Sequence, residues 1–102
     1  MAPRVEDRPI PPEQGNAAWY EVPRRSLAKR RAPDEFTAAH DRLPLGSSAR
    51  VTNLANGRSV VVRITDRGVG ENCVIDLCKE AAEKIGLIGK GVSKVEIEAL
   101  GP

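Results

Sequence analysis

The stretch that most constrains this chain runs from Arg50 to Asp66. Two apolar-rich runs, Arg50-Val51-Thr52-Asn53-Leu54 and Val60-Val61-Val62-Arg63-Ile64-Thr65-Asp66, flank Asn56-Gly57. Asn-Gly between such runs is a strong hairpin signal, because a type I′ turn needs positive φ at both central residues. The sequence predicts a hairpin with arms at 49–54 and 58–66. Side chains alternate along a strand, so Val60, Val62 and Ile64 share one face. By the same alternation Asp66 prolongs that face, and Arg67-Gly68 follows it. A carboxylate ending a buried apolar row stands where the strand leaves the core for solvent, a position suited to chemistry. The plain structural alternative is that Asp66 caps the Arg67-Gly68 turn. His40, the one histidine, closes a short apolar stretch that begins at Phe36.

Short elements surround the hairpin. Residues 17–20 and 36–40 read as strands, and Leu43-Pro44-Leu45-Gly46 as a turn. Residues 68–72 read as a glycine-bearing loop and 73–77 as a further strand. Residues 79–85 carry the one helical pattern: Leu77, Ala81, Ala82 and Ile85 fall on one side, and Gly86 supplies the stop. Asp76 or Cys78 begins that helix, and a thiol is a poor cap. Residues 92–100 alternate cleanly, with Val95, Ile97 and Ala99 on one face and Lys94, Glu96 and Glu98 on the other. Residues 1–16, with Pro3, Pro9, Pro11 and Pro12 among charges, read as a flexible proline-rich arm. Residues 17–101 form the folded unit. Six short strands and one short helix point to a mainly β protein, a small closed barrel, since an open sheet would leave edges to protect.

Composition narrows the partners. The chain has 102 residues, enough for one small domain. Trp19, Tyr20 and Phe36 are the only aromatics, so the core must be aliphatic. A net charge of +2 is too mild to argue for nucleic acid. Arg24, Arg25, Lys29, Arg30 and Arg31 nonetheless crowd into one long loop. They are either a solvated basic loop or a patch facing an anionic polymer such as peptidoglycan, teichoic acid or nucleic acid. No run approaches the ~20 apolar residues of a membrane span. The first residues lack the apolar core of a secretory signal, so the chain reads as cytosolic or as a trimmed form of an exported protein. Cys73 and Cys78 are five residues apart on a strand, up to ~16 Å, whereas a disulfide needs Cα atoms within about 7 Å. Two free thiols are expected. One histidine without a paired ligand motif argues against zinc. Gly89-Lys90-Gly91 follows a helix and precedes a strand, the reverse of a nucleotide loop. No metal and no cofactor are expected, and the domain is expected to act as a monomer.

An ordered set of short words carries a more specific signal. These are Ala18-Trp19-Tyr20, Thr37-Ala38-Ala39-His40, Leu43-Pro44-Leu45-Gly46, Val51-Thr52-Asn53-Leu54, Asn56-Gly57-Arg58, Asp66-Arg67-Gly68, Ile75-Asp76-Leu77 and Gly89-Lys90-Gly91-Val92. In this order, across roughly 16–100, the chain resembles the rare lipoprotein A (RlpA-like) family of double-psi β-barrels, related to expansins. The resemblance implies a six-stranded double-psi β-barrel with one short helix, a bacterial cell-envelope setting, and lytic transglycosylase action on peptidoglycan glycan strands. It maps the catalytic pair onto His40 and Asp66. Asp76 matches an aspartate of expansin-like relatives. With Trp19, Tyr20 and Arg67 it completes the candidate substrate-binding set. Trp19 and Tyr20 serve either as a sugar-stacking platform or as core packing.

The family's third acidic residue, a loop glutamate, has no clear counterpart. Lys29-Arg30-Arg31 stands there, Glu21 replaces the glycine after Trp-Tyr, and the spacing of Asp34 and Glu35 to His40 is wrong. The general acid must be protonated at working pH, so Asp66 should sit in a partly apolar mouth. Nearby lysines and arginines favour its ionised form instead. The reading is therefore a peptidoglycan-acting domain with weakened or absent cleavage. Its alternative is the same barrel as a non-catalytic polysaccharide- or protein-binding module.

Overall fold

A computed structural model describes residues 11–21, 35–89 and 93–101. The elements in order are β1 (Glu13–Tyr20), β2 (Thr37–Ala39), β3 (Ser48–Asn53), β4 (Ser59–Asp66), β5 (Cys73–Cys78), the helix α1 (Lys79–Lys84) and β6 (Ser93–Gly101). The strands close into a barrel in the order β1-β5-β2-β4-β3-β6. β1 pairs parallel with β5 and β2 with β4, and the other four pairings are antiparallel. Parallel neighbours cannot be joined by a tight turn, so connections cross the barrel ends. The basic run from Arg24 to Arg31 lies outside the described residues.

Alternation builds the interior. Val60, Val62 and Ile64 of β4 are buried, as are Val95 and Ile97 of β6 and Ile75 and Leu77 of β5. This is the aliphatic core that three aromatics demanded. Trp19, Tyr20 and Phe36 pack only partly buried against it. α1 is amphipathic as its spacing predicts, with Ala81, Ala82 and Ile85 all buried. Gly86 ends it at φ 77°.

Four expectations need correction. β1 begins at Glu13 rather than Ala17, and Glu13 to Asn16 pair with β6 inside the stretch read as an arm. The hairpin turn is not type I′. Among residues 54–57 only Gly57 has positive φ, at 75°. Leu54 to Gly57 form a longer loop closed by the Gly57 amide donating to the Asn53 carbonyl at 2.8 Å. Asn56 is used differently: its Oδ1 accepts from the Arg58 amide at 2.9 Å, and its Nδ2 donates to the Ile85 carbonyl at 3.1 Å. That second bond, with Asn53 Nδ2 on the same carbonyl at 2.7 Å, ties the hairpin to the end of α1. Asp76 does not cap the helix. Cys78 occupies the N-cap position without a side-chain cap bond, and its Sγ accepts from the Thr37 amide at 3.4 Å. Finally, Asp66 does not continue the Val60/Val62/Ile64 face by simple alternation. The β2–β4 register slips between Ala38 and Ala39, so that Ala38 faces Ile64 and Ala39 faces Asp66, leaving Thr65 as the extra residue of a bulge.

Candidate functional site

Strand polarity decides which residues meet. β4 runs parallel to β2, so Asp66 and His40 leave the sheet at the same end. β5 runs antiparallel to β2 and parallel to β1, which brings Cys73 and Glu13 to that end too. The Asn56-Gly57 turn, α1, Trp19 and Tyr20 lie at the other end. The hairpin thus carries the chain away from His40 and back to Asp66. The two join directly, with the His40 amide donating to the Asp66 carbonyl at 3.0 Å.

The imidazole of His40 is 3% exposed and fully engaged. Its Nδ1 accepts two backbone amides, Arg42 at 3.0 Å and Leu43 at 2.9 Å. An acceptor nitrogen carries no hydrogen, so the ring proton sits on Nε2. Nε2 donates to Glu13 Oε1 at 2.8 Å, and Arg42 donates to Glu13 Oε2 at 2.6 Å. Burial alone would push the Glu13 carboxyl up, but these hydrogen bonds and the adjacent positive charge outweigh it and hold the carboxyl below its ordinary value.

The backbone of this turn is held from behind. Arg67 donates to the carbonyls of His40 and Leu43, each at 2.6 Å, and the Gly68 amide donates to Asp41 Oδ1 at 2.9 Å. Arg67 therefore fixes the segment from His40 to Leu43, the segment whose amides orient the histidine ring.

Asp66 and Asp76 flank β2. Ala39 is in register with Asp66 on one side and Asp76 on the other, two strand spacings or about 10 Å apart along the sheet. Thr65 Oγ1 donates to Asp66 Oδ2 at 2.8 Å. Asp76 accepts the Gly70 amide on both oxygens at 3.1 Å. Its charge, together with burial, pushes the Cys73 thiol up, burial being the larger cause. Cys73 and Cys78 are both free thiols.

Two hollows open beside His40. One, of about 310 Å³, is lined by Pro11, Glu13, His40, Arg42, Leu43 and Pro44. The other, of about 210 Å³, is lined by Glu13, His40, Asp41, Arg42, Val69, Cys73 and Val74. Glu13 and His40 are common to both, whereas Asp66 lines neither. Trp19 and Tyr20 are not brought here: the Lys79 ammonium lies 6.0 Å from the Trp19 ring centre, and the Tyr20 hydroxyl is 3.4 Å from Thr37 Oγ1. Glu35, one of the two carboxylates near the missing loop glutamate, accepts from Arg63 at 2.7 and 3.0 Å. Reading the sequence missed Glu13, the carboxylate that meets His40.

A family model described as lytic transglycolase matches residues 12–97 of this sequence. The chain belongs to that family. Among its relatives, the endolytic peptidoglycan transglycosylase RlpA of Neisseria meningitidis serogroup A is 43% identical over 95 residues, 88% of this chain and 40% of the relative. The probable endolytic peptidoglycan transglycosylase RlpA of Nostoc is 57% identical over 70 residues, 68% of this chain and 19% of the relative. The chain thus spans well under half the length of these relatives. In three dimensions the rationally designed mkDPBB_sym2 protein superposes with a TM-score of 0.57 at 18% identity, covering 86% of this chain and all of that one. The fold is that of the double-psi β-barrels.

Proposed function

We propose that this family member acts on peptidoglycan glycan strands in the bacterial cell envelope, as a lytic transglycosylase centred on Asp66. The observation that carries the reading is the convergence of strand ends: one end of the barrel holds His40 and Asp66, joined main chain to main chain, with Asp76 across β2. Protonated Asp66 gives its proton to the bridging oxygen as the C1–O bond breaks. The 6-hydroxyl oxygen of the same sugar bonds to C1, and its proton returns to Asp66. No water is consumed, and one carboxyl serves as acid and then base. Asp76 and Arg67 support the same end, Arg67 through the backbone it holds.

A second reading is a binding module without turnover. It is favoured by a histidine whose two ring nitrogens are both engaged and by Lys29-Arg30-Arg31 at the place of the loop glutamate. Incubation with purified glycan strands separates the two. Anhydro-ended fragments from wild type, lost in Asp66→Asn, support the first reading. Binding without fragments supports the second, and neither binding nor fragments refutes both.

A further inference from the structure

Glu13 occupies a place that neither the proposed Asp66 chemistry nor the family resemblance assigns. His40 cannot itself offer a ring nitrogen to a ligand, because Nδ1 is taken by two amides and Nε2 by Glu13. What emerges from the buried ring into the hollows is the carboxylate, whose side chain is 25% exposed against 3% for His40. An ionised carboxylate has about four acceptor sites. Here each oxygen of Glu13 accepts one bond, His40 on Oε1 and Arg42 on Oε2, so acceptor capacity is left on both. Glu13 also borders both hollows.

We propose that Glu13 is a second substrate-contacting carboxylate at this end of the barrel, beside Asp66, accepting hydrogen bonds from hydroxyl groups of a bound glycan, with His40 as the positioning residue behind it. The proposal rests on the glycan reading above. The chemistry favours a sugar hydroxyl, since such a group donates to a carboxylate, whereas a phosphate would meet like charge. The same hydrogen bonds that hold the Glu13 carboxyl below its ordinary value keep it ionised, and so an acceptor, at neutral pH. His40 is suited to hold it: two backbone amides on Nδ1 favour the tautomer with the proton on Nε2, which is aimed at Oε1. Arg42, with its side chain 77% exposed, could not orient the carboxylate alone.

The test is a titration with a purified peptidoglycan tetrasaccharide followed by NMR, in an Asp66→Asn background so that the probe is not consumed. Adding Glu13→Gln should weaken binding about tenfold or more, the size of a lost charge-assisted bond. His40→Gln should weaken it too, and the double variant should bind no worse than Glu13→Gln, because both act through one carboxylate. Should the His40 variant fail to fold, the carboxyl carbon resonance of Glu13 in the parent protein must still shift on adding the tetrasaccharide. Unchanged affinity in Glu13→Gln, additive losses in the double variant, or an unmoved Glu13 resonance would each overturn the proposal while leaving the glycan reading intact. A parent protein that does not bind the tetrasaccharide removes the reading and the proposal together.

Discussion

At the residue scale, the contacts of Glu13 have a consequence for stability. Its carboxyl ionises more readily in the folded protein than in the unfolded chain. Ionisation therefore stabilises the fold above the ordinary glutamate value, and that contribution is lost as pH falls through the lower folded value. Wild type should lose denaturant resistance across that acid window, and Glu13→Gln should lose less. Parallel profiles would remove the linkage. Cys73 carries the opposite shift, raised by burial and by Asp76. Its alkylation at mildly alkaline pH should be slower than that of an exposed thiol, and Asp76→Asn should speed it. His40 and Asp66 were legible because each stands at the edge of an apolar run. Glu13 was not, because Pro11 and Pro12 just before it made the stretch read as an arm. Its extended run to Tyr20, free of further proline, was the available signal.

At the element scale, two packing points are open to test. Gly15 sits in β1 where a Cβ would lie 2.6 Å from Val74 Cγ1. Gly15→Ala should destabilise by about 1–3 kcal/mol, the usual size of overpacking, and Val74→Ala in the same chain should relieve part of that loss. Equal stability of Gly15→Ala and wild type in urea would contradict the close approach. Ile64 is fully buried beside Ala38 on β2, so Ile64→Ala should cost about 2–5 kcal/mol. The strands, the helix and their buried faces followed from periodicity. What periodicity could not supply was the β2–β4 bulge, which moves Asp66 into the row of Ala39 and Asp76 by one unpaired residue. The hairpin turn failed for a related reason. Its asparagine is held by a tertiary bond to the Ile85 carbonyl and by accepting the Arg58 amide two residues on, and these bonds outweigh the type I′ preference.

At the scale of the whole molecule, the closed barrel brings residues far apart in sequence to one end, and the family match over 12–97 agrees with that architecture. The barrel was legible through an ordered set of short words rather than any one motif. The parallel pairings β1·β5 and β2·β4 leave no local sequence pattern of their own. Mass spectrometry of glycan strands digested in water enriched in heavy oxygen distinguishes transglycosylation through Asp66 from hydrolysis. We expect anhydro-ended fragments without the heavy label, formed by wild type and absent with Asp66→Asn. Labelled reducing ends would show hydrolysis by water instead. Unlabelled anhydro ends that persist in Asp66→Asn would contradict the assignment of Asp66.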